Sequence, residues 1–509
     1  MFAKVNSLGV FALEGFAVRV EADISGGLPQ FAIVGLPDSA VKEATDRVRS
    51  ALKNLNFTYP VSRITINLAP ADIRKTGPVY DLPVLLSILA ASEQIRPVPD
   101  DYAFIGALSL DGAVQSISGV LPMALCAKEA GIHHLFVPAA CAAEAAIVEG
   151  LCVYPVTTAC DAVEHLLGTK LILPMPLTEF VAGNAENVLD FADVRGQLEA
   201  RRAIEIAAAG GHNLLLVGPP GTGKSMLAKR IPGILPPLSK AEAIETTKIY
   251  SVAGIVPENG VLFNRRPFRA PHHSVSAAGL SGGGSMPRPG EISLAHNGVL
   301  FLDELPEFQR DALEILRQPV EDGTVTVSRV AGSATFPCNI MLVAAMNPCP
   351  CGYFGHPTRQ CTCSQFSIDR YLQKVSGPLL DRIDLHIEVM PVEYEDIAGE
   401  EKGEASADIL KRVIAARAIQ TARYAGTNVV CNADLPSAML RKACKLSPAA
   451  NKILKSAFER MGLSARAYDR VLKVSRTIAD LDGSEHIEAA HVSEAVQYRN
   501  LDRKYWYAR

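Results

Sequence analysis

The sequence predicts an α/β protein in which two α/β domains are followed by a domain of α-helices. Strand-like apolar runs alternate with helix-like runs up to about residue 392, and glycine and proline mark the joins between them. One of these strands leads directly into a glycine-rich loop and a helix, which is typical of a parallel α/β core. Beyond residue 392 the sequence is helical in pattern and rich in alanine, lysine and arginine.

Changes in composition divide the 509 residues into four segments. Residues 1–168 are predicted to form the first α/β domain, 169–190 a proline-spaced linker, 191–392 the second α/β domain and 393–509 the helical domain. In the first domain, strands are predicted over 17–22, 64–68 and 135–137, and helices over 39–52, 82–91 and 120–130. In the second domain, strands are predicted over 214–217, 298–302 and 340–344.

Charge and cysteine content exclude some classes of protein. The formal net charge is −4, so the molecule as a whole is not a polycation that would coat nucleic acid. No apolar stretch is long enough to cross a membrane, so we expect a cytoplasmic chain with no membrane partner. Eleven cysteines in that compartment are expected to be reduced or bound to metal. Residues 441–509 carry fourteen Lys and Arg against eight Asp and Glu, so this end could face phosphate groups or form solvated and intersubunit surface. Its last twelve residues interleave rings with cations, which suits base stacking or docking on a neighbour.

A strand, a loop and a helix near residue 220 have the pattern of a phosphate-binding loop. The apolar run 214–217 is followed by Gly218, Pro219, Pro220, Gly221, Thr222, Gly223, Lys224 and Ser225, and Met226 continues into the helix. Glycines allow successive N–H groups to point at phosphate oxygens, and Lys224 adds a charge for the β- and γ-phosphates. The Ser225 hydroxyl is suited to bind Mg²⁺, so the sequence predicts a site for ATP with Mg²⁺.

Two further apolar strands end in polar residues that suit nucleotide hydrolysis. The strand over 298–302 runs into Asp303 and Glu304, and a later strand is closed by Asn347. We expect Asp303 to act on the Mg²⁺ ion and Glu304 to polarise the attacking water. Asn347 is a polar group that can orient the same water.

The order of these motifs resembles that of the AAA+ ATPases, in which they are called Walker A, Walker B and sensor 1. Residues 377–384 resemble the arginine-finger segment of the magnesium-chelatase and minichromosome-maintenance branch. The resemblance implies that Arg382, with Asp381 beside it, reaches the γ-phosphate held by a neighbouring subunit, so that the chain forms a ring, most often a hexamer. It also implies that Arg466 is the sensor 2 arginine, which acts within its own subunit. Each arginine could instead form an ordinary surface ion pair.

Two insertions in the second domain resemble the channel-facing insertions of the same branch. One is rich in glycine and serine and spans 274–289, and its one charged residue is Arg288. The other is a predicted hairpin with strands over 324–327 and 334–336 and a turn around 329–333. The resemblance implies that Arg288 and Arg329 line the channel of a ring and contact a DNA backbone. Arg329 could equally be a solvated residue at the tip of the hairpin.

The first domain resembles the proteolytic domain of Lon-type proteases, which is a ribosomal S5 domain 2-like α/β fold. The similarity lies in residues 75–83, 105–112 and 131–138. Where that family has its catalytic serine and lysine, this chain has Val79 and Leu121, neither of which can act as nucleophile or base. The resemblance therefore implies a domain without a catalytic dyad, retained for assembly or partner contact.

Two closely spaced pairs of cysteines follow Asn347. Cys349 and Cys351 form the first pair and Cys361 and Cys363 the second, and four thiolates in one short loop suit a tetrahedral, structural Zn²⁺ site. Free reduced thiols and redox chemistry are the alternatives, since the commoner zinc spacing has two residues between cysteines. His356 is a reserve ligand within the loop.

The succession of a Lon-like domain, a chelatase-type AAA+ core and a helical lid domain resembles the bacterial ComM/YifB group of magnesium-chelatase-like proteins. This resemblance implies a ring-shaped DNA motor, a helicase that extends heteroduplex by branch migration during homologous recombination in natural transformation, with DNA junctions and recombination proteins as partners. A chelatase-like remodelling or metal-insertion ATPase without a DNA substrate is the alternative. A Lon-like protease is disfavoured by Val79 and Leu121.

Overall fold

The chain divides into two compact units, described here from a computed structural model. The structure describes residues 1–181, 183, 189–255, 262–284, 286–329, 332–392 and 403–507. One unit consists of Met1–Val181 with Lys240–Asn264, and the other of Ala182–Ser239 with Arg265–Arg509. Among the described residues, no helix is both long enough and apolar enough to cross a membrane.

The secondary structure alternates as an α/β protein requires. The strands are β1 (Phe2–Phe11), β2 (Glu14–Ser25), β3 (Gln30–Val34), β4 (Arg63–Ala69), β5 (Tyr102–Phe104), β6 (Ala107–Leu108), β7 (Val114–Gln115), β8 (His134–Pro138), β9 (Cys152–Val156), β10 (Leu214–Val217), β11 (Phe268–Arg269), β12 (Gly282–Gly283), β13 (Arg288–Pro289), β14 (Gly298–Leu302), β15 (Thr324–Arg329), β16 (Gly332–Pro337), β17 (Ile340–Met346) and β18 (Leu385–Glu388).

Helices lie between these strands, and from Ser406 onwards the described part of the chain contains helices but no further strand. They are α1 (Ser39–Lys42), α2 (Ala44–Asn54), α3 (Asp81–Ala91), α4 (Val120–Glu129), α5 (Ala142–Ala145), α6 (Ala159–Leu167), α7 (Leu198–Gly210), α8 (Lys224–Ala228), α9 (Lys240–Ala253), α10 (Ala277–Ser281), α11 (Glu291–Leu294), α12 (Arg310–Ile315), α13 (Arg317–Asp322), α14 (Gln365–Leu372), α15 (Gly377–Leu380), α16 (Ser406–Arg423), α17 (Ser437–Ala443), α18 (Pro448–Met461), α19 (Ala465–Leu481) and α20 (Ala489–Gln497). The last described residues, Asp502–Tyr507, form a π-helix.

A seven-stranded mixed sheet, ordered β3-β4-β2-β1-β5-β8-β9, forms the first unit. Helix α3 is buried along almost its whole length, which its continuous apolar sequence predicts. Val79 precedes this helix and Leu121 lies in α4; both side chains are buried. The two positions predicted to correspond to the catalytic pair of a Lon-type protease are therefore filled here by apolar core residues.

Helix α9 belongs to this first unit, although it falls within the predicted second domain. The Gly119 N–H donates to the Ser251 carbonyl at 3.0 Å, and the ammonium of Lys248 lies 3.6 Å from the Glu14 carboxylate. Composition alone cannot show such an excursion of the chain, because it measures neighbours in sequence and not neighbours in space. The remaining domain boundaries stay predictions.

A five-stranded parallel sheet, ordered β11-β14-β17-β10-β18, is the centre of the second unit. Strands β10 and β14 are buried at every position, as expected for a sheet covered on both faces. The helices α16 to α20 share one hydrophobic core with this sheet, in which Val413 and Ile478 join Leu214 and Val343. The predicted helical region is thus confirmed, and it packs as part of the same unit as the sheet.

Most predicted elements are present with small changes of boundary. Strands β10 and β14 match the predictions over 214–217 and 298–302, whereas the helix predicted over 39–52 is divided at Glu43. The predicted turn around 329–333 is too long, because Arg329 pairs with Gly332 at the end of the hairpin; residues 330 and 331 lie outside the described residues.

The aromatic residues at the C-terminal end pack within their own chain. Tyr498 and Tyr505 are buried, and the Tyr505 hydroxyl donates to the Glu388 carboxylate at 3.0 Å. These two rings are therefore not available for the base stacking or neighbour docking that the sequence predicted.

Candidate nucleotide-binding site

The loop between β10 and α8 has the backbone that phosphate binding requires. Gly221 and Gly223 have positive φ angles of 81° and 86°, a region that residues with a Cβ adopt only at a cost. Gly218 is constrained for another reason, since a Cβ there would lie 2.2 Å from the carbonyl oxygen of Val389. The glycines at these positions are thus explained by conformation and by close approach, and α8 starts at Lys224 with its N-terminus open to an anion.

Lys224 is buried at the base of the loop and directed towards it. Its ammonium donates to the carbonyls of Gly218 and Pro219 at 2.7 and 2.8 Å and to the Asn347 side-chain oxygen at 3.2 Å. Burial lowers the pKa of Lys224 to about 8, and the nearby charge of Asp303 opposes that change. A phosphate group would bring compensating negative charge to this site.

Ser225 and Asp303 lie together where a Mg²⁺ ion would be expected. The Ser225 hydroxyl donates to one Asp303 carboxylate oxygen at 2.5 Å, and the other carboxylate oxygen accepts from the Glu304 N–H at 2.9 Å. A hydroxyl and a carboxylate are oxygen ligands of the kind that Mg²⁺ prefers, and Mg²⁺ sites usually keep several waters. The residues present therefore fit this ion.

Glu304 is held in an unusual conformation at the end of β14. Its φ angle is 53°, in the left-handed region that is uncommon for residues other than glycine. The side chain is 57% exposed, so the carboxylate is open to water. Local backbone strain of this kind is found at functional sites and agrees with the role predicted for this residue.

The order of strands decides that Asn347 joins this site. Strand β17 lies between β10 and β14, with Val217 opposite Met346 and Leu302 opposite Ala344. Because parallel strands end at the same edge of a sheet, Asn347 emerges between the phosphate-binding loop and the two acids. The sequence predicted each of these groups, and the structure brings them together.

A histidine that the sequence analysis did not identify contacts Glu304. His273 Nδ1 lies 3.3 Å from a Glu304 carboxylate oxygen, and the adjacent His272 ring is tilted by 35° against the His273 ring with centroids 4.0 Å apart. His273 follows β11, which pairs with β14 in the sheet. The signal available in the sequence was two consecutive histidines shortly after a short strand, next to the glycine-rich insertion.

The predicted arginines occupy different surroundings. Arg382 is paired with the Glu321 carboxylate of its own chain and is 14% exposed, while Asp381 beside it is half-buried at the end of α15. Arg466 is exposed in the first turn of α19. Among the described residues, no hydrogen bond or ion pair joins the side chain of Arg382 or Arg466 to the acids of the site, Asp303 and Glu304.

The backbone beside Arg382 is anchored to the helix that carries Arg466. The Arg382 carbonyl accepts from the side chains of Asn213 and Arg470, both at 3.1 Å. Arg470 lies in α19 and also pairs with the fully buried Asp384. That charge partner and hydrogen bonds outweigh burial and hold the pKa of Asp384 well below its usual range.

The two predicted channel arginines are close neighbours on the two insertions. Arg288 pairs with Gly283 in the β12–β13 ladder, and a Cβ on Gly283 would lie 3.2 Å from the Arg329 guanidinium. Both arginines are exposed, and Arg329 also donates to the Ser328 carbonyl at 2.8 Å. The described parts of the insertions, from which Ser285 and residues 330–331 are excluded, thus place both arginines beside Gly283.

The four cysteine sulfurs form a compact cluster. Distances of 3.4, 3.7 and 3.6 Å join the Sγ atoms of Cys349, Cys351 and Cys361, and all four Sγ atoms, including Cys363, lie within 4.8 Å of one another. Tetrahedral Zn²⁺ with Zn–S bonds of about 2.3 Å requires sulfurs roughly 3.8 Å apart, so the cluster fits this ion. His356 lies outside it, and its Nδ1 accepts from the backbone of Thr358 and Arg359.

The sheet and the loop define the chain as a P-loop nucleotide-binding protein with a magnesium-chelatase type of core. Family models described as magnesium chelatase, subunit ChlI, match residues 190–397, those described as subunit ChlI of Mg-chelatase match 20–141, and those described as the ChlI C-terminal part match 403–499. Such AAA+ proteins are ATPases that use ATP with Mg²⁺, and the site described above has the groups that this activity needs.

The chain belongs to the ComM/YifB family of these proteins. It is 45% identical over 511 residues to competence protein ComM of Haemophilus influenzae, with 98% of each chain covered. It is 44% identical over 510 residues to YifB of Escherichia coli, covering 98% of this chain and 97% of the relative. A Lon protease of Clostridioides difficile is 26% identical over 147 residues, 28% of this chain and 19% of the protease, in agreement with the predicted Lon-like fold.

Proposed function

We propose that this protein is a hexameric, ring-shaped, ATP-driven DNA motor that catalyses branch migration in homologous recombination during natural transformation. The observation that carries the proposal is the pair of exposed guanidinium groups, Arg288 and Arg329, on two insertions of an ATPase core. The relationship to a protein named for competence supports the same process. DNA junctions, and the recombination proteins that act on them, are the partners that follow.

The proposed chemistry assigns one role to each residue of the site. Residues 218–226 bind the phosphates of ATP, and Ser225 with Asp303 holds the Mg²⁺ ion that neutralises developing charge during phosphoryl transfer. Glu304 accepts the proton of the attacking water, and Asn347 orients that water.

The arginines would complete the site from two directions. Arg382, supported by Asp381, stabilises the γ-phosphate of a neighbouring subunit, and Arg466 acts on the nucleotide of its own subunit. The ion pair between Arg382 and Glu321 must then open or rearrange in the ring.

DNA binding would be electrostatic and independent of base sequence. Arginines repeated once per subunit around a channel contact phosphates, and each such contact makes affinity depend on salt concentration. Arg288 and Arg329 both lie beside Gly283, and we propose that they contact phosphates of the same DNA backbone.

The four-cysteine cluster is proposed to hold a structural Zn²⁺ ion. Four protein ligands leave no open position for a substrate, so the ion would stabilise the loop and take no part in hydrolysis. Metal analysis of the purified chain tests this assignment, with one zinc per chain as the expected result.

The decisive experiment measures ATP hydrolysis with and without forked DNA, together with strand exchange on a three-way junction. We expect stimulation by DNA, its loss in Arg329→Ala with basal hydrolysis intact, and loss of all hydrolysis in Glu304→Gln. A rate of ATP hydrolysis that stays the same with every DNA tested would contradict the proposed DNA motor. It would favour a chelatase-like remodelling ATPase, which the descriptions of the matching family models also suggest.

A further inference from the structure

The cysteine loop lies directly against the phosphate-binding loop. Gly352, between the two cysteine pairs, is buried and has a φ angle of 85°. A Cβ at this position would lie 2.6 Å from the Cδ atom of Pro220, closer than any such contact can be. The backbone of the cysteine loop is therefore in van der Waals contact with the ring of Pro220.

The same turn is tied to a cysteine of the cluster. The Gly352 N–H donates to the Cys349 carbonyl at 3.0 Å, and the Phe354 N–H donates to the Cys349 sulfur at 3.3 Å. Cys349 is also two residues from Asn347, which accepts from Lys224. Cys349 is thus linked to the phosphate-binding loop through two contacts. Gly352 contacts Pro220, and Asn347 accepts a hydrogen bond from Lys224.

The C-terminal π-helix supports the loop from another side. The Tyr505 ring packs edge-on against Phe354 with centroids 6.2 Å apart, and the Lys504 ammonium donates to the Glu388 carboxylate at 2.6 Å. Glu388 is opposite Val217, the last residue of β10 before the phosphate-binding loop. The cysteine loop therefore lies between the phosphate-binding loop and the C-terminal π-helix.

We propose that a Zn²⁺ ion bound by Cys349, Cys351, Cys361 and Cys363 clamps the phosphate-binding loop in its binding conformation, so that nucleotide binding depends on the metal. The inference rests on the proposed zinc and ATP sites. Metal binding supplies free energy that orders a short loop, which the four cysteines without metal do not supply. A phosphate-binding loop requires its N–H groups to be correctly placed, so loss of its support at Pro220 and Asn347 weakens affinity.

A pair of glycine variants isolates the contact from the strain of adding a side chain. Gly352 and Gly355 both have positive φ angles, of 85° and 77°, but a Cβ at Gly355 would meet nothing nearer than the flexible end of Lys504 at 3.6 Å. Fluorescence anisotropy with a fluorescent ATP analogue measures nucleotide affinity, and elemental analysis measures zinc. We expect Gly352→Ala to weaken nucleotide binding by about tenfold or more with zinc retained, and Gly355→Ala to change it by less than about twofold.

Removing the metal tests the clamp directly in the full chain. A zinc-selective chelator with Mg²⁺ kept in excess, or Cys363→Ser, should lower nucleotide affinity by a similar factor while far-ultraviolet circular dichroism keeps its native form. Added Zn²⁺ should restore affinity after chelation. Unchanged affinity in zinc-free, folded protein would overturn the clamp, as would equal effects of the two glycine variants. A wild-type chain that binds zinc but no nucleotide would instead overturn the proposed ATPase, so the two failures are distinguishable.

Discussion

The guanidinium of Arg382 is paired with the carboxylate of Glu321 in the same chain. It also donates to the Pro378 carbonyl at 2.9 Å, while its Nε is buried and has no hydrogen-bond partner among the residues that the structure describes. An arginine that stabilises a phosphate on a neighbouring subunit cannot at the same time be neutralised by its own acid. In the proposed ring, Glu321 would therefore compete with the phosphate of the neighbouring subunit for Arg382.

Glu321→Gln should increase ATP hydrolysis per subunit at protein concentrations where the ring is only partly assembled. Glu321 is 51% exposed, and an exposed ion pair is worth up to about 1 kcal/mol, so we expect an increase of about two- to fivefold. Steady-state phosphate release over a series of protein concentrations measures this. Glu314→Gln, which removes the neighbouring pair with Arg317, is the control. An equal increase in an Arg382→Ala background would contradict the competition.

Glu304→Gln should abolish hydrolysis and leave nucleotide binding intact. The amide is similar in size to the carboxylate but cannot accept the proton of the attacking water, so turnover should fall by about 100-fold or more. Phosphate release and binding of a fluorescent ATP analogue are measured on the same preparation. Glu307 lies three residues after Glu304 and forms a surface ion pair with Lys374, so Glu307→Gln should keep most of the activity. Comparable loss in both variants would argue against a specific role for Glu304.

His273→Ala should raise basal hydrolysis in the absence of DNA. The imidazole lies 3.3 Å from the Glu304 carboxylate and restrains it, so its removal leaves the carboxylate free to approach water. The expected change is an increase of about two- to tenfold in kcat with little change in KM, the pattern of an effect on the chemical step. His272→Ala is the matched control, because His272 bonds to Ser274 and not to Glu304. A fall in kcat would show that His273 assists Glu304 instead.

Nucleotide affinity should fall as pH rises above about 8. Burial lowers the pKa of Lys224 to about 8, so the free protein loses the charge on this ammonium above that pH, whereas bound phosphate favours the charged form. Above that pH, nucleotide binding requires uptake of a proton, so the dissociation constant should increase by up to about tenfold for each pH unit. Affinity is measured between pH 7 and 9.5, with Lys224→Arg as the control that stays charged. The same slope in that variant would assign the effect to another group.

The pKa of Lys224 also has a consequence for stability. Because the folded-state pKa lies below that of the unfolded chain, the cost of burying the charge is fully present below about pH 8. That cost is relieved as pH rises from the folded-state to the unfolded-state pKa, since the buried ammonium becomes neutral. Nucleotide-free protein should therefore gain a stabilising contribution from this group over the same pH range in which it loses nucleotide affinity.

Local patterns in the sequence predicted the chemical groups of the site well. Strands β10 and β14 have the predicted bounds, because a buried parallel strand is a continuous apolar run and the polar residue that follows marks its end. Asp303, Glu304 and Asn347 were found in this way, and the spacing of the cysteines predicted their cluster. His273 was missed because a histidine after a two-residue strand has no periodic pattern around it.

The sequence alone thus determined the main strands and most of the reactive side chains of the nucleotide site, since backbone propensity and hydrophobic periodicity act between neighbours along the chain. The tertiary structure decided which of them meet. Placing β17 between β10 and β14 brought Asn347 to Lys224, and packing set Glu321 on Arg382 and Gly352 on Pro220. Each of these contacts joins residues far apart in sequence, and strand order and side-chain packing depend on the whole core.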